Sequence, residues 1–317
     1  MLPIIIKRNL GLFIDLKATY GDIYTLDLGV LRMVILSHPR HAAQVLRDRS
    51  QNHFRGGSMW SSLRTVFGNG LLVSEGPFWL RQRRMMQPQF HRHQLEGLFQ
   101  LMLRSIDEGL PSWEPAGGGS FELGSEQLMR RLQNLVLQVL TRTLFGTALS
   151  PAQTEPIVAD VEQILSHVFR GLLTTSLPAW VPVPGARRYQ QTLRRLDQVM
   201  YQAIEHNRRQ GGTDSLLSLL LGVVDEETRE RMTDSQIRDE AVSIFMAGYD
   251  TTAVLLGWLL QRLLEDPAVL ATLQAEIDAK LGSRPPTLAD LQALSYARQV
   301  LQETLRRLQG LPLGAPI

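Results

Sequence analysis

The feature that most limits what this chain can fold into is a six-residue run, Ala247-Gly248-Tyr249-Asp250-Thr251-Thr252, set in a long apolar segment. Thr233-Asp234-Ser235-Gln236 upstream reads as a capping box that starts a helix. Ile237, Ala241, Val242, Ile244, Phe245 and Met246 follow. Beyond the run come Val254, Leu255, Leu256, Trp258, Leu259, Leu260, Leu263 and Leu264, and Asp266-Pro267 closes the helix and opens another. A helix apolar around most of its circumference is a buried central helix, so a mainly α fold must be assembled around it. Gly, a carboxylate and two β-branched hydroxyl residues at its midpoint cost propensity and desolvation. Rules broken at one point of a consistent element mark a functional site.

The chemistry this run supports is proton delivery. Gly248 lets a large flat group approach the backbone. The Thr251 hydroxyl can bond back to the Ala247 carbonyl and bend or widen the helix. Asp250 can relay protons from solvent into an apolar cavity. The competing reading is a Gly/Thr kink with a satisfied buried Asp250.

The 317 residues, 44% hydrophobic, suffice for a substantial core in one large domain. Against 31 acidic residues stand 33 basic ones, a net charge of +2 that exerts no global pull toward nucleic acid or membrane. The arginine surplus clusters at Arg81, Arg83, Arg84 and Arg92. There is no cysteine, which excludes disulfides, iron–sulfur ligation and cysteine nucleophiles within these residues. No stretch reaches the roughly 18–20 consecutive apolar residues of a membrane span, and the opening Met1–Ile6 is too short for a signal sequence, so a soluble cytoplasmic protein is expected.

Asn9 to Tyr20 reads as a helix closed by Gly21. Ile23–Leu28 and Met33–Leu36, turning at Gly29, read as a hairpin. The rest reads as helix over about 39–48, 76–91, 93–110, 125–145, 151–170, 187–210, 213–222, 234–264, 267–281 and 295–308. Asn52–Gly76 and the Pro-punctuated Gly171–Gly185 read as irregular loops that either wall an apolar pocket or simply connect helices. Pro115–Ser120 reads as a surface loop before a strand-like Phe121-Glu122-Leu123.

Two further constellations carry chemistry. Trp79 and Arg83 place an indole and a guanidinium on one helix face, suited to an anionic planar ligand. Glu303-Thr304-Leu305-Arg306 puts a carboxylate and a guanidinium one turn apart. The same spacing at Glu205/Arg208 and Glu226/Arg229 reads as exposed pairs, whereas Leu294, Val300, Leu301, Leu305 and Leu308 around Glu303 point to a more buried helix.

With these motifs in this order, the chain resembles the cytochrome P-450 family of haem-thiolate monooxygenases over residues 8 to 308, as a soluble bacterial-type member. The resemblance implies a large helical domain spanning 1–317, with a small β-hairpin near the N-terminus, and haem (iron protoporphyrin) as cofactor. It implies that Trp79 and Arg83 hold a propionate, that Ala247, Gly248 and Thr251 lie against the cofactor, and that Glu303 and Arg306 are structural. It also implies that Thr251 steadies dioxygen while Asp250 feeds protons through water. An apolar substrate is implied, as are electrons from a ferredoxin- or flavodoxin-type partner with its reductase, docking near Arg81 and Arg84. The family's iron ligand is a cysteine in a Gly-rich loop beyond the E-T-L-R helix. With no cysteine before Ile317, the expectation is a C-terminally truncated member. Its alternative is a non-catalytic helical remnant that cannot ligate haem iron through thiolate.

Overall fold

The computed structural model describes residues 2–27, 32–113, 122–146, 185–211 and 215–308, with the single positions 149, 156, 160, 163 and 164. The first helix, α1 (Leu2–Tyr20), begins at Leu2 rather than Asn9. Gly21, at φ +85°, ends it by donating its N–H to the Lys17 carbonyl at 2.8 Å. Strands β1 (Ile23–Asp27) and β2 (Arg32–Leu36) pair antiparallel, with Ile23 opposite Leu36 and Asp27 opposite Arg32. Alternation buries Tyr24 and Leu26 on one face. The expected turn at Leu28 and Gly29 lies outside the described residues.

Pro39–Ala43 forms α2, prolonged by a wider π turn over Gln44–Asp48. The expected irregular segment Asn52–Gly76 is not wholly irregular, because α3 (Gly57–Phe67) occupies its centre. Its glycines punctuate the ends, Gly57 at φ +84° and Gly68 at φ +56°, and do not interrupt the middle. Between them Trp60, Leu63, Val66 and Phe67 form an apolar stripe against the core. Helix α4 (Gly76–Met86) continues as a 3₁₀ turn over Gln87–Phe90. Then come α5 (Arg92–Gly109), α6 (Ser125–Phe145), α7 (Ala186–Gln210) and α8 (Leu216–Gly222). Glu122 and Leu123 form no strand. The linker 115–120, the loop 171–184 and most of the helix expected over 151–170 lie outside the described residues.

The central element is α9 (Asp234–Glu265). Both arms of its capping box form: Gln236 N–H donates to Thr233 Oγ1 at 3.2 Å, and Thr233 N–H to Gln236 Oε1 at 2.8 Å. Asp266 closes it and caps α10 (Pro267–Leu281), accepting from Val269 N–H at 3.2 Å. A short α11 (Asp290–Ala293) and α12 (Ser295–Leu308) follow. Helix α9 packs on α6, α7, α8, α3 and α12. Ile237, Ala241, Val242 and Phe245 are buried in one apolar cluster with Phe145, Leu217, Leu220, Met200 and Ile204. The rings of Phe145 and Phe245 meet at 6.1 Å between centroids.

Burial along α9 is uneven, which corrects the expectation of a helix enclosed throughout. Its N-terminal half is core, while past Met246 only Tyr249, Ala253, Gly257 and Leu263 are buried and Leu264 is 71% exposed. Among the described residues, α9 alone is long and apolar enough to cross a membrane by length and composition. The helices packed around its first half make it a core helix.

Candidate functional site

Ala247, Asp250 and Thr251 are all exposed, although Phe245, Met246, Tyr249 and Ala253 beside them are buried. Spaced i, i+3, i+4, they form one open stripe halfway along the central helix. The Thr251 hydroxyl donates to the Ala247 carbonyl at 2.6 Å, as its position dictates. The helix stays α-helical through this bond, so the expected widening does not occur. Asp250 stands open to the stripe, which removes the alternative of a satisfied buried carboxyl.

Gly248 belongs elsewhere. A Cβ built on it would stand 3.4 Å from Leu140 Cδ1, so this glycine faces α6 rather than the open stripe. The physical reason is the 100° step per residue, which turns position 248 away from the face that 247 and 251 share.

Helix α4 presents its cations on two flanks. On one, the Arg83 guanidinium lies over the Trp79 ring, 5.2 Å from its centroid. On the other, Arg81 and Arg84 are consumed by carboxylates. Arg81 Nε donates to Asp225 Oδ2 at 3.1 Å and Arg84 Nη2 to Asp225 Oδ1 at 2.8 Å. Glu230 and Glu227 pair with their outer nitrogens at 2.8 and 2.6 Å. Asp225 has no side-chain exposure and also accepts from Thr228 Oγ1 at 3.0 Å. Burial pushes the Asp225 carboxyl up, but the bonds from Arg84, Thr228 and the Glu227 amide outweigh it and hold it below the ordinary carboxylate value. Arg81 and Arg84 therefore do not form the free basic patch that the sequence reading reserved for an electron donor. Arg83 has no carboxylate within 4.0 Å among the described residues.

Glu303 and Arg306 do pair, Arg306 Nε reaching Glu303 Oε2 at 2.6 Å, with Arg307 Nε on the other oxygen at 2.8 Å. The two guanidinium groups hold the Glu303 carboxyl down to about 2. The expected burial is absent. Glu303 is 46% exposed, and Leu301 and Leu305 are 38% and 43% exposed. Only Thr304 of this motif is buried; it and Glu303 line a cleft of about 440 Å³ shared with Leu263, Val269 and Tyr296. The apolar neighbours were distributed around α12, and its contacts with α9 and α10 cover just one side. Of the other copies of the spacing, Glu205 pairs with Arg209 at 2.7 Å, while Arg208 turns to Asp234.

A buried polar cluster escaped the sequence reading. Arg238, Asp239 and Glu240 on α9 are 6%, 8% and 1% exposed. Asp239 Oδ2 accepts from Asn69 N–H at 2.7 Å and Glu240 Oε2 from Leu71 N–H at 3.0 Å, tying α9 to the loop that leads into α4. Arg238 Nε donates to Asp197 at 2.8 Å and its Nη1 to the Val66 carbonyl at 2.8 Å. A Cβ on Gly70 would fall 2.4 Å from Ser243 Oγ, so only glycine lets the loop approach this closely. Burial drives the Glu240 carboxyl up to about 7; the Leu71 bond opposes this and the Asp239 charge adds to it. The legible signal was three successive charges on the first turns of an apolar helix, together with Gly68-Asn69-Gly70.

A long central helix with an open Ala/Asp/Thr stripe, a stacked Trp–Arg pair on α4, an E-T-L-R helix beside the central one and a small two-stranded sheet make this a mainly helical fold. The model of the family described as cytochrome P450 matches residues 3–316, and the chain belongs to that family. Haem is the cofactor of its members. The chain is 31% identical to cyclooctat-9-en-7-ol 5-monooxygenase of Streptomyces melanosporofaciens, over 95% of its own length and 64% of that protein's. It is 30% identical to pentalenene oxygenase of Streptomyces avermitilis, over 93% and 64% of the two lengths. The solved haem domain of cytochrome P450DA superposes with a TM-score of 0.79 at 25% identity, over 94% of this chain and 65% of that one. The chain thus spans about two thirds of the relatives it matches.

Proposed function

We propose that residues 1–317 form one domain of a haem-dependent monooxygenase that inserts one atom of dioxygen into an apolar small molecule, with electrons from a separate redox protein. The observation that carries this reading is the pair Asp250 and Thr251, exposed side by side halfway along the central helix, just past its packed N-terminal half. Arg83, stacked over Trp79 and without a carboxylate partner among the described residues, fits the carboxylates of a porphyrin. Haem, when bound, supplies the oxidising chemistry that no side chain of this sequence can provide. The family's thiolate ligand is not among these residues, which contain no cysteine.

The chain's own contribution is binding, water control and protons. Trp79 and Arg83 would grip a propionate, the indole fixing the plane of the guanidinium. Thr251 gives its proton to the Ala247 carbonyl, which leaves the hydroxyl oxygen facing the open stripe as an acceptor for a water or an oxygen-borne proton. Asp250, one residue away and exposed, exchanges protons with solvent and passes them along that water. Ala247 offers a small side chain where a flat group can lie close. The names of the two Streptomyces relatives support an apolar organic substrate, and the commitment of Arg81 and Arg84 to Asp225 moves the partner's docking surface away from them.

In the haem-loaded enzyme, Thr251→Ala should leave haem content unchanged and uncouple reductant consumption from product, with hydrogen peroxide accounting for the difference. Asp250→Asn should slow total turnover and preserve coupling. Reductant, peroxide and oxygenated product are measured together. Wild-type coupling in Thr251→Ala would reduce the hydroxyl to a helix-packing role and remove the main support for the reading.

A further inference from the structure

Helix α4 faces the core through Gln82, Met85 and Met86, which are 1%, 3% and 3% exposed. Methionine is unbranched and adapts to its surroundings, so this contact holds the helix down without fixing its roll about its own axis. Gln82 adds little direction, since its Oε1 finds no donor among the described residues. At 3.6 residues per turn, Arg81 and Arg84 lie on one flank of that core face and Trp79 and Arg83 on the other. Among the described residues, the only directional, charge-assisted bonds that the flanks of α4 make to another element are those to the 225–230 turn. Asp225 at its centre is wholly buried and receives Arg81 at 3.1 Å and Arg84 at 2.8 Å. The turn is rigid. Val224 bridges Arg231, Asp225 N–H donates to the Glu230 carbonyl at 2.8 Å, and Arg229 is held at φ +59°, the one non-glycine positive φ among the described residues.

We infer that Asp225 is a positioning residue for the anion grip of α4: by holding Arg81 and Arg84 on one flank it sets the roll of the helix and aims Trp79 and Arg83 on the opposite flank at the porphyrin carboxylates. The inference rests on the reading of Trp79 and Arg83 as a propionate site. It adds a residue about 140 positions away in sequence, in a turn between α8 and α9 that carries no motif.

The test uses metal-free protoporphyrin IX and its dimethyl ester, titrated into the full chain by fluorescence, so that iron ligation plays no part. The ester lacks the charge that Arg83 recognises. Wild type should prefer the diacid by about tenfold, the worth of one good charge-assisted pair, and Arg83→Gln should abolish the preference. Asp225→Asn should cut it at least threefold, about 0.7 kcal/mol. Because that variant leaves a neutral amide buried under two guanidinium groups that keep only the exposed Glu230 and Glu227, the triple variant Asp225→Ala, Arg81→Leu, Arg84→Leu replaces the ionic cluster with apolar side chains and keeps the fold stable. It should melt near wild type and still lose the preference. A triple variant that melts normally and keeps the full preference would overturn the role of Asp225 while leaving Arg83 in place. Equal affinities for diacid and ester in wild type would overturn the propionate reading itself, and the role of Asp225 with it.

Discussion

Glu240 makes the stability of this protein fall with rising pH, opposite to the effect of an ordinary paired surface acid. Its side chain is 1% exposed, one oxygen takes the Leu71 amide at 3.0 Å, and the other has no donor among the described residues. Burial lifts its pKa from 4.5 to about 7. Below about pH 4.5 folded and unfolded chains both hold the proton and its contribution is fully present. Between there and about pH 7 only the unfolded chain releases it, so stability is lost, and above pH 7 the loss is complete. A rise of about 2.5 units at 1.36 kcal/mol each amounts to about 3 kcal/mol. Glu240→Gln keeps an acceptor for Leu71 and removes the ionisation. Its amide nitrogen inherits the position without a partner, which costs about 1 kcal/mol at every pH. The variant should therefore be about 1 kcal/mol less stable than wild type at pH 3.5, about equal to it near pH 5, and about 2 kcal/mol more stable at pH 8.5. Urea unfolding at half-unit pH steps, for both proteins in one buffer series, measures the difference and cancels the titration of other groups. Stability curves that run parallel across this range would show that Glu240 is hydrated or paired and that the reasoning fails.

Three further outcomes follow from the geometry. Gly248→Ala should raise the melting temperature, because its Cβ meets Leu140 at an ordinary 3.4 Å and alanine gains about 1 kcal/mol of helix propensity; Gly70→Ala should cost about 3 kcal/mol by driving Ser243 and the Asp239 backbone away. Glu303→Ala should shift the melting temperature no more than Glu205→Ala, since both acids are half exposed and paired within their own helices; a markedly larger loss for Glu303 would show that α12 is covered in solution.

The sequence by itself determined the elements and the chemistry of individual positions. The capping box at Thr233, the Asp266-Pro267 boundary and the 125–145 helix are local, and each formed where its residues required. The Thr251 back-bond and the Trp79–Arg83 stack span one helical turn, so spacing alone specified them. Tertiary structure decided everything that depends on which face of a helix meets which neighbour. The apolar residues around Glu303 could not say that α12 is covered on one side only. Gly248 turned to α6, and Arg81 and Arg84 were claimed by an aspartate far along the chain. The Arg238–Glu240 cluster finds its backbone partners only because Gly68–Leu71 approaches it, 169 residues away in the case of Leu71 and Glu240. Helical periodicity fixes relative directions within an element, whereas the energy of a buried charge is set by partners that no local pattern encodes.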